Sequence, residues 1–517
     1  MENDTDSKSN NTDIGHEPPE IIFFGAKKKT KLTDFLSPSV LTIAASLLLG
    51  LGIAFGVIYW SSGNKGGMNN PIGSAEQAEP LACPVYQNPA KTCIGTGNTL
   101  CAADMEMARI AWKYFENNYQ AKTGLVNAAD KYPSTTMWDT GSTLAATIAA
   151  LELGIITQKE FDDRVVAMLA TLKEIKLFKD EAPNKVYNTV TGDMVDYGNH
   201  VSVDGIGVST LDLARLSSWL NILACLHPKH AIAAQNVILR WKFCNLIKEG
   251  QMNGLALDPV TKNLKVLQEG RLGYEQYAGK VFKMMGFDQS MSASYKNEFS
   301  SEIEIYGVPI AYDTRDPRKL GAYNYVVTES YVMDVFEHGF DAENTPLTNN
   351  IFEVQKRRWQ QTGQVTAVSE DNVDRKPSFV YNTIFVAGSP WNTITDTGLD
   401  MDHLKSISTK AALAMAFLYP EDPYSGALID SVSSAYDPEK GWYSGVYEKG
   451  LGYNDIITSN TNGVILSGLL YKKYGALNRL CTNCKRGIVL TPEIKNAPEN
   501  KDKCLPSSTA CNTKCVP

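Results

Sequence analysis

Apolar residues recur at helical spacing from about residue 100 to 477. The stretches 101–118, 140–153, 158–175, 209–225, 229–247, 273–285, 328–337, 347–361, 406–418, 423–435 and 460–474 each line one helix face. Thr157 with Glu160 is a capping box before one helix, and Ser209 with Asp212 is a near match before another. Connections alternate between short (154–157, 226–229, 419–423) and long (119–139, 176–208, 248–272, 286–327, 362–405, 436–459). Stacked helical hairpins with this alternation carry their long loops at one end. About twelve helices so arranged predict an all-α (α/α)6 toroid, a barrel of helical hairpins with long ordered loops on one face. The loops are rich in Trp, Tyr, Asn, Asp and Gly, as ordered functional loops are. Asp193, Asp258 and Asp437 mark tight turns within them.

One apolar stretch breaks this pattern. Val40 to Trp60 holds no charged residue, enough chain to span a bilayer, and predicts a transmembrane helix over 37–60. Lys27, Lys28, Lys29 and Lys31 flank its N-terminal end and only Lys65 lies close on the other. The positive-inside rule therefore places a disordered tail, 1–36, in the cytoplasm and the large domain on the far side. Residues 61–80 form a tether of Gly, Ser, Asn and Pro, 81–480 the toroid, and 481–517 a Cys-rich end.

The cysteines agree with an oxidising compartment. Cys83, Cys93 and Cys101 cluster before the helices, and Cys481, Cys484, Cys504, Cys511 and Cys515 after them. These eight are expected in disulfides, within each cluster or between the two ends. Cys481-x-x-Cys484 has zinc-ligand spacing but no second pair nearby. Cys225 and Cys244 lie in apolar helical patterns and read as buried thiols. The net charge of −8, with no basic run beyond the membrane flank, excludes nucleic acid as the main partner.

Phosphate-loop, serine-hydrolase and zinc-protease motifs are missing. Asp396, Asp400 and Asp402 suit a solvated acidic loop better than calcium, because their spacing is not that of an EF-hand; no cofactor is expected. His227 and His230 read as a helix-turn surface pair. What stands out is a concentration of carboxylates and aromatics in the long loops. It comprises Trp138 and Asp139; Glu269, Tyr274 and Glu275; Asp313, Arg315 and Glu329; Glu370, Asp371 and Asn372; Trp391; Trp442; Asn460 and Asn462. Glycoside hydrolysis needs one carboxylic acid to protonate the leaving oxygen and one carboxylate to activate water, and aromatic faces suit sugar rings. Structural readings compete. Asp139 fits the N-cap of a helix from Thr140, and Glu275 fits a first turn where the dipole favours an acid. Glu370 and Asp371 fit a brace against Arg375, and Tyr274 and Tyr277 fit the core.

The segments WDTGSTLAATIAALELGIIT, NKVYNTVTGDMVDYGN, QEGRLGYEQYA, YGVPIAYDTRDPR, AVSEDNVDR and TNGVILSGLLYKKYG, in this order, resemble the bacterial domain-of-unknown-function family 3131. That family is similar to glycoamylase-like helical toroids, including the β-1,2-glucan-degrading glycoside hydrolase family 144. The resemblance implies an (α/α)6 barrel with an acidic cleft and an inverting glycoside hydrolase-like reaction on a polysaccharide. Glu275 is then the general acid, with Glu269 its rival, and Asp139 or Asp371 holds the water. Trp138, Tyr274, Asp313, Arg315, Glu329, Glu370, Asn372, Trp391, Trp442, Asn460 and Asn462 become candidate substrate contacts. In a bacterium the topology means an inner-membrane anchor and a periplasmic domain near a glycan synthesis or export complex. A non-catalytic glycan-binding accessory and a structural envelope protein are the alternatives.

Overall fold

Residues 100–258, 260–317, 323–483 and 487–506 are described by the computed structural model. The expected tail, transmembrane helix and tether lie outside them, as do Cys83, Cys93, Cys484, Cys511 and Cys515. Among the described residues no helix is long and apolar enough to cross a membrane.

The main helices in chain order are α1 (Ala102–Asn117), α2 (Met137–Glu152), α3 (Gln158–Glu174), α4 (Thr210–Leu226), α5 (Ala231–Ile238), α6 (Tyr274–Met284), α7 (Thr328–His338), α8 (Asn344–Thr362), α9 (Thr409–Leu418), α10 (Pro423–Val432), α11 (Ser459–Tyr474) and α12 (Leu477–Asn483). Six of them, α2, α4, α6, α7, α9 and α11, pack successively into a ring that closes when α11 meets α2. Sequence explains which helices lie inside. Those at α2, α4, α9 and α11 are buried on nearly every face, as helices apolar all round must be. Small residues let them approach closely. A Cβ on Gly141 would stand 2.8 Å from Arg215 Cγ on α4, and one on Gly463 would stand 2.9 Å from the Ser142 carbonyl on α2.

Around the ring, α1 covers α11 and α2, α3 covers α2, α5 covers α4, α8 covers α7, and α10 covers α9. After α6 the described residues hold no outer helix. The chain passes through 286–299 into a hairpin that packs on α8. Helix α12 crosses the end opposite the long loops, between α4 and α7. There Asn478 donates to Ser218 Oγ at 2.7 Å and accepts from Asn221 at 3.1 Å.

The all-α expectation is too narrow, because the long connections carry short strands. Gly207–Val208 pairs with Gln251–Leu257, which pairs with Leu264–Gln268. Glu370–Asn372, Phe379–Asn382 and Thr393–Ile394 form a second sheet. Ser406–Ser408, Gly441–Tyr447 and Tyr453–Ile457 form a third. Asp258 closes the first hairpin by accepting from the backbone of Val260 at 3.0 Å and Thr261 at 2.8 Å. These strands deliver the chain to the first turns of α4, α6, α9 and α11, where the polar residues cluster.

The cysteine expectations need correction. Cys225 and Cys244 are not thiols: Cys225 bonds Cys481 and Cys244 bonds Cys504. A buried half-cystine sits in the same apolar pattern as a buried thiol, so sequence does not separate them. The first bond also removes the zinc reading of Cys481. Cys101 is exposed and has no disulfide partner among the described residues. His230 is buried against Asp162 at 2.9 Å, not a surface group, and His227 lies beside Glu152 at 3.5 Å. The two disulfides close loops of 256 and 260 residues. A bond across so long a loop stabilises by about 2–5 kcal/mol. A thiol reductant should therefore lower the denaturant midpoint of the full chain, and Cys225→Ala with Cys481→Ala should shrink that drop.

Candidate active site

Every inner helix starts at the same end of the ring, and each brings a polar side chain in its first turn. These are Asp139 on α2, Asp212 on α4, Glu275 on α6, Glu329 on α7, Lys410 on α9 and Asn460 on α11. The caps fix them in place. Thr136, not Asp139, is the N-cap of α2, and its hydroxyl accepts from the Asp139 amide at 3.1 Å. Ser209 caps α4 and also donates to Asp212 Oδ1 at 2.9 Å. The helix dipoles favour the carboxylates there and disfavour Lys410, so a first-turn lysine needs acids around it.

Those acids are present. Lys410 is buried, forms an ion pair with Glu329, and stands 3.5 Å from Asp371. Burial works to discharge it, but Glu329, Asp371 and Glu370 outweigh burial and hold the ammonium above its ordinary value. Asp371 is buried as well, with the Ser408 hydroxyl beside it. Desolvation raises it to about 7 against the pull of Lys410. Burial also raises Glu370.

A second carboxyl centre lies on α4, three places from α9 around the ring. Burial, and then the charge of Glu269, push Asp212 to about 7. Glu269 is itself raised by burial and accepts from the Thr210 amide at 2.5 Å. Asp139 is held by the hydroxyls of Thr136 and Ser459, both at 2.7 Å. Burial raises it too, against those bonds. Asp139, Asp212, Glu269 and Glu370 keep partial access to solvent although protein surrounds them. Across α2, α11 and α7, Trp138 donates to Asn460 at 3.1 Å and Asn460 donates to Glu329 at 2.9 Å.

The starts of the inner helices thus gather Asp139, Glu269, Glu329, Glu370, Asp371, Trp138 and Asn460 from the expected set, of which Glu329 and Asp371 are buried. Others are placed elsewhere. Glu275 is buried in a two-pronged pair with Arg315, which also grips Asp313. Burial raises Glu275 and Arg315 opposes the rise. Tyr274 packs edge-on to Trp138, while Tyr277 is core. Trp391 is buried beneath Arg358, and Trp442 is buried with its indole N–H on the Met107 carbonyl at 3.1 Å. Asn462 is spent on the Trp442 backbone, and the Asn372 carbonyl accepts from Asn454 at 2.7 Å. Arg375 pairs with Asp374, so it does not brace Glu370 or Asp371. Asp402 is held by Lys405 and Lys449, and no metal-holding group of acidic, His or Cys side chains occurs among the described residues. Lys410 and Asp212 are residues of the two centres that sequence reasoning missed. The signal for Lys410 was a basic residue in the first turn of an otherwise apolar helix.

A family described as a protein of unknown function, DUF3131, matches residues 106–475. The chain belongs to the DUF3131 family. No curated protein matches it in sequence. Among solved structures, the endo-β-1,2-glucanase from Chitinophaga pinensis, bound to sophorotriose and glucose, superposes on this DUF3131 protein with a TM-score of 0.53 at 13% identity, covering 78% of this chain and 97% of that one. A glucoamylase candidate from Bacteroides fragilis gives 0.53 at 13%, covering 79% and 97%. The β-1,2-glucanase from Parabacteroides distasonis gives 0.53 at 12%, covering 77% and 58%. At such identities the likeness establishes a shared helical-toroid fold, and activity has to be argued from the site.

Proposed function

We propose that this DUF3131 protein cleaves a polysaccharide by carboxylate acid/base catalysis. The observation that carries the reading is a pair of carboxyl centres at the starts of opposed inner helices, Asp212 with Glu269 beside α4 and Asp371 with Glu370 beside Lys410 of α9, each holding a group raised to about 7. Asp371 bears the proton and delivers it to the leaving oxygen. The Asp212–Glu269 pair retains a negative charge and activates water from the other side, which inverts the anomeric centre. Asp139 lies within electrostatic reach of Asp212 and Lys410 and positions the sugar between them.

This differs from the sequence-based assignment of Glu275 as acid, because Arg315 occupies that carboxylate. Glu275→Gln should leave turnover within about tenfold of the parent while lowering stability by about 3 kcal/mol, since Arg315 and Asp313 lose a buried partner. Paired turnover and denaturation measurements check this.

The protein is further proposed to act beyond the cytoplasmic membrane, tethered by residues 37–60 to the periplasmic side of a bacterial inner membrane, near exported glycan. The two disulfides support an oxidising compartment. The β-1,2-glucanase fold neighbours make β-1,2-glucan the first substrate to try. Purified full chain should release reducing ends from it or from another soluble glucan. A folded protein that turns over none of a broad glycan set would sink the catalytic reading and leave a glycan-binding accessory.

A further inference from the structure

Beside the carboxylates lies an aromatic wall that the acid/base chemistry does not use. Tyr325 and Tyr381 stack face to face, with ring centroids 3.6 Å apart and planes 3° from parallel. Phe379 meets Tyr381 edge-on at 5.2 Å, and Tyr323 tilts against Tyr325 at 6.2 Å. Phe379 and Tyr381 are two apart on one strand and so share a face. All four rings keep partial solvent access, although a cluster of this size would be expected to close into the core.

Asp396 stands within electrostatic reach of Tyr325, Tyr381 and Tyr197, and its charge raises all three phenols further after burial has done so. Its own carboxylate is partly accessible and accepts from the Thr397 amide. No Lys or Arg pairs with it among the described residues. The loop that carries it is held by its own hydrogen bonds. Thr395 Oγ1 accepts from the amides of Thr397 at 3.2 Å and Leu399 at 3.0 Å. Gly398, at φ 82°, sits where a Cβ would strike the Tyr323 hydroxyl. The wall adjoins the Lys410 centre, because Glu370 is the strand partner of Tyr381. Ile394, two residues before Asp396, pairs with Tyr381 as well, which brings the Asp396 loop to the wall. Tyr132 anchors the Tyr197 carbonyl at 3.0 Å.

A pyranose ring presents an apolar C–H face and a rim of hydroxyls. Aromatic rings take the face, and a carboxylate with neighbouring phenols takes the rim. The charge of the groove narrows the ligand further. Asp139, Asp212, Glu269, Glu370 and Asp396 line it, Lys410 is committed to Glu329 and Asp371, and Arg315 is committed to Glu275 and Asp313. A polyuronate or sulfated chain would meet an excess of carboxylates, with Lys185 already drawn to Asp212 and Glu269.

We propose that Tyr325, Tyr381 and Asp396 form a pyranose subsite that selects neutral, unsubstituted glycans and excludes acidic ones. This rests on the glycan-cleaving reading above. The test titrates the full chain carrying Asp371→Asn, by calorimetry, with neutral gluco-oligosaccharides of several linkages, with oligogalacturonates, and with tetramethylammonium as a probe for a cation cage.

A neutral oligosaccharide should bind and the other two should not. Tyr381→Ala and Asp396→Asn, each added to that background, should weaken binding by roughly tenfold. Tyr325→Leu serves if Tyr381→Ala fails to fold, with circular dichroism as the check. Equal affinity in all these variants, or oligogalacturonate or tetramethylammonium binding as well as the neutral sugar, overturns the subsite. If the subsite variants lose binding but Asp371→Asn still cleaves, the acid assignment falls and the subsite stands. Binding of no sugar at all removes both.

Discussion

Asp371→Asn should lower kcat by about a thousandfold, the scale of a lost general acid, with little change in KM. The same substitution should stabilise the fold above neutral pH. Asp371 is raised to about 7 in the folded chain. The unfolded carboxyl titrates near 3.9, so between these values the folded state binds the extra proton. Its contribution to stability is complete below about pH 4 and is lost as pH rises through about 7. Asn carries no charge to bury and avoids that loss, by on the order of 2 kcal/mol at pH 8. Thermal melts of parent and variant at pH 5 and pH 8 would show it: the gain should appear at pH 8 and shrink at pH 5. A variant that loses activity and is also less stable at pH 8 would mean that Asp371 is a structural brace.

Lys410→Met should have the opposite signature. It removes the cation that Glu329, Asp371 and Glu370 share. Breaking a buried pair by deleting one partner destabilises by about 3–5 kcal/mol, because charge is left without a counterpart. The three carboxyls can escape by taking up protons, so the loss should be largest at pH 8 and smaller at pH 5. Activity should fall in parallel, since Asp371 then faces two uncompensated acids and releases its proton less readily. Denaturant titrations at the two pH values measure the first effect, and the alkaline limb of the rate profile measures the second. A pH-independent loss would assign Lys410 to packing alone.

The helical frame was largely legible. The patterns at 158–175, 273–285 and 328–337 correspond to Gln158–Glu174, Tyr274–Met284 and Thr328–His338, because apolar periodicity and capping residues act over one or two turns. The stretch 229–247 overreached: helix ends at Ile238, and the apolar residues that follow serve turns and core. Strands of two or three residues, such as Gly207–Val208 with partners near residue 255, carry too little periodicity to be seen. The site was half legible. Asp139 and Asp371 stood out as acids in ordered loops. Trp391 and Trp442 looked like sugar platforms because an aromatic residue reads the same whether it faces a groove or the core. Lys410 was passed over because a lone lysine normally marks a solvated face, and only the fold brings Glu329 and Asp371 to it.

The inner ring closes where its first helix meets its last. Asp139 takes its hydrogen bond from Ser459 and Trp138 gives its own to Asn460, partners separated by 320 and 322 residues. During synthesis, then, the groove stays unfinished until nearly the whole domain has been made. A chain cut short before α11 lacks one wall of the groove and two of its polar contacts. Whatever the protein does, it can start to do only once α11 has closed on α2.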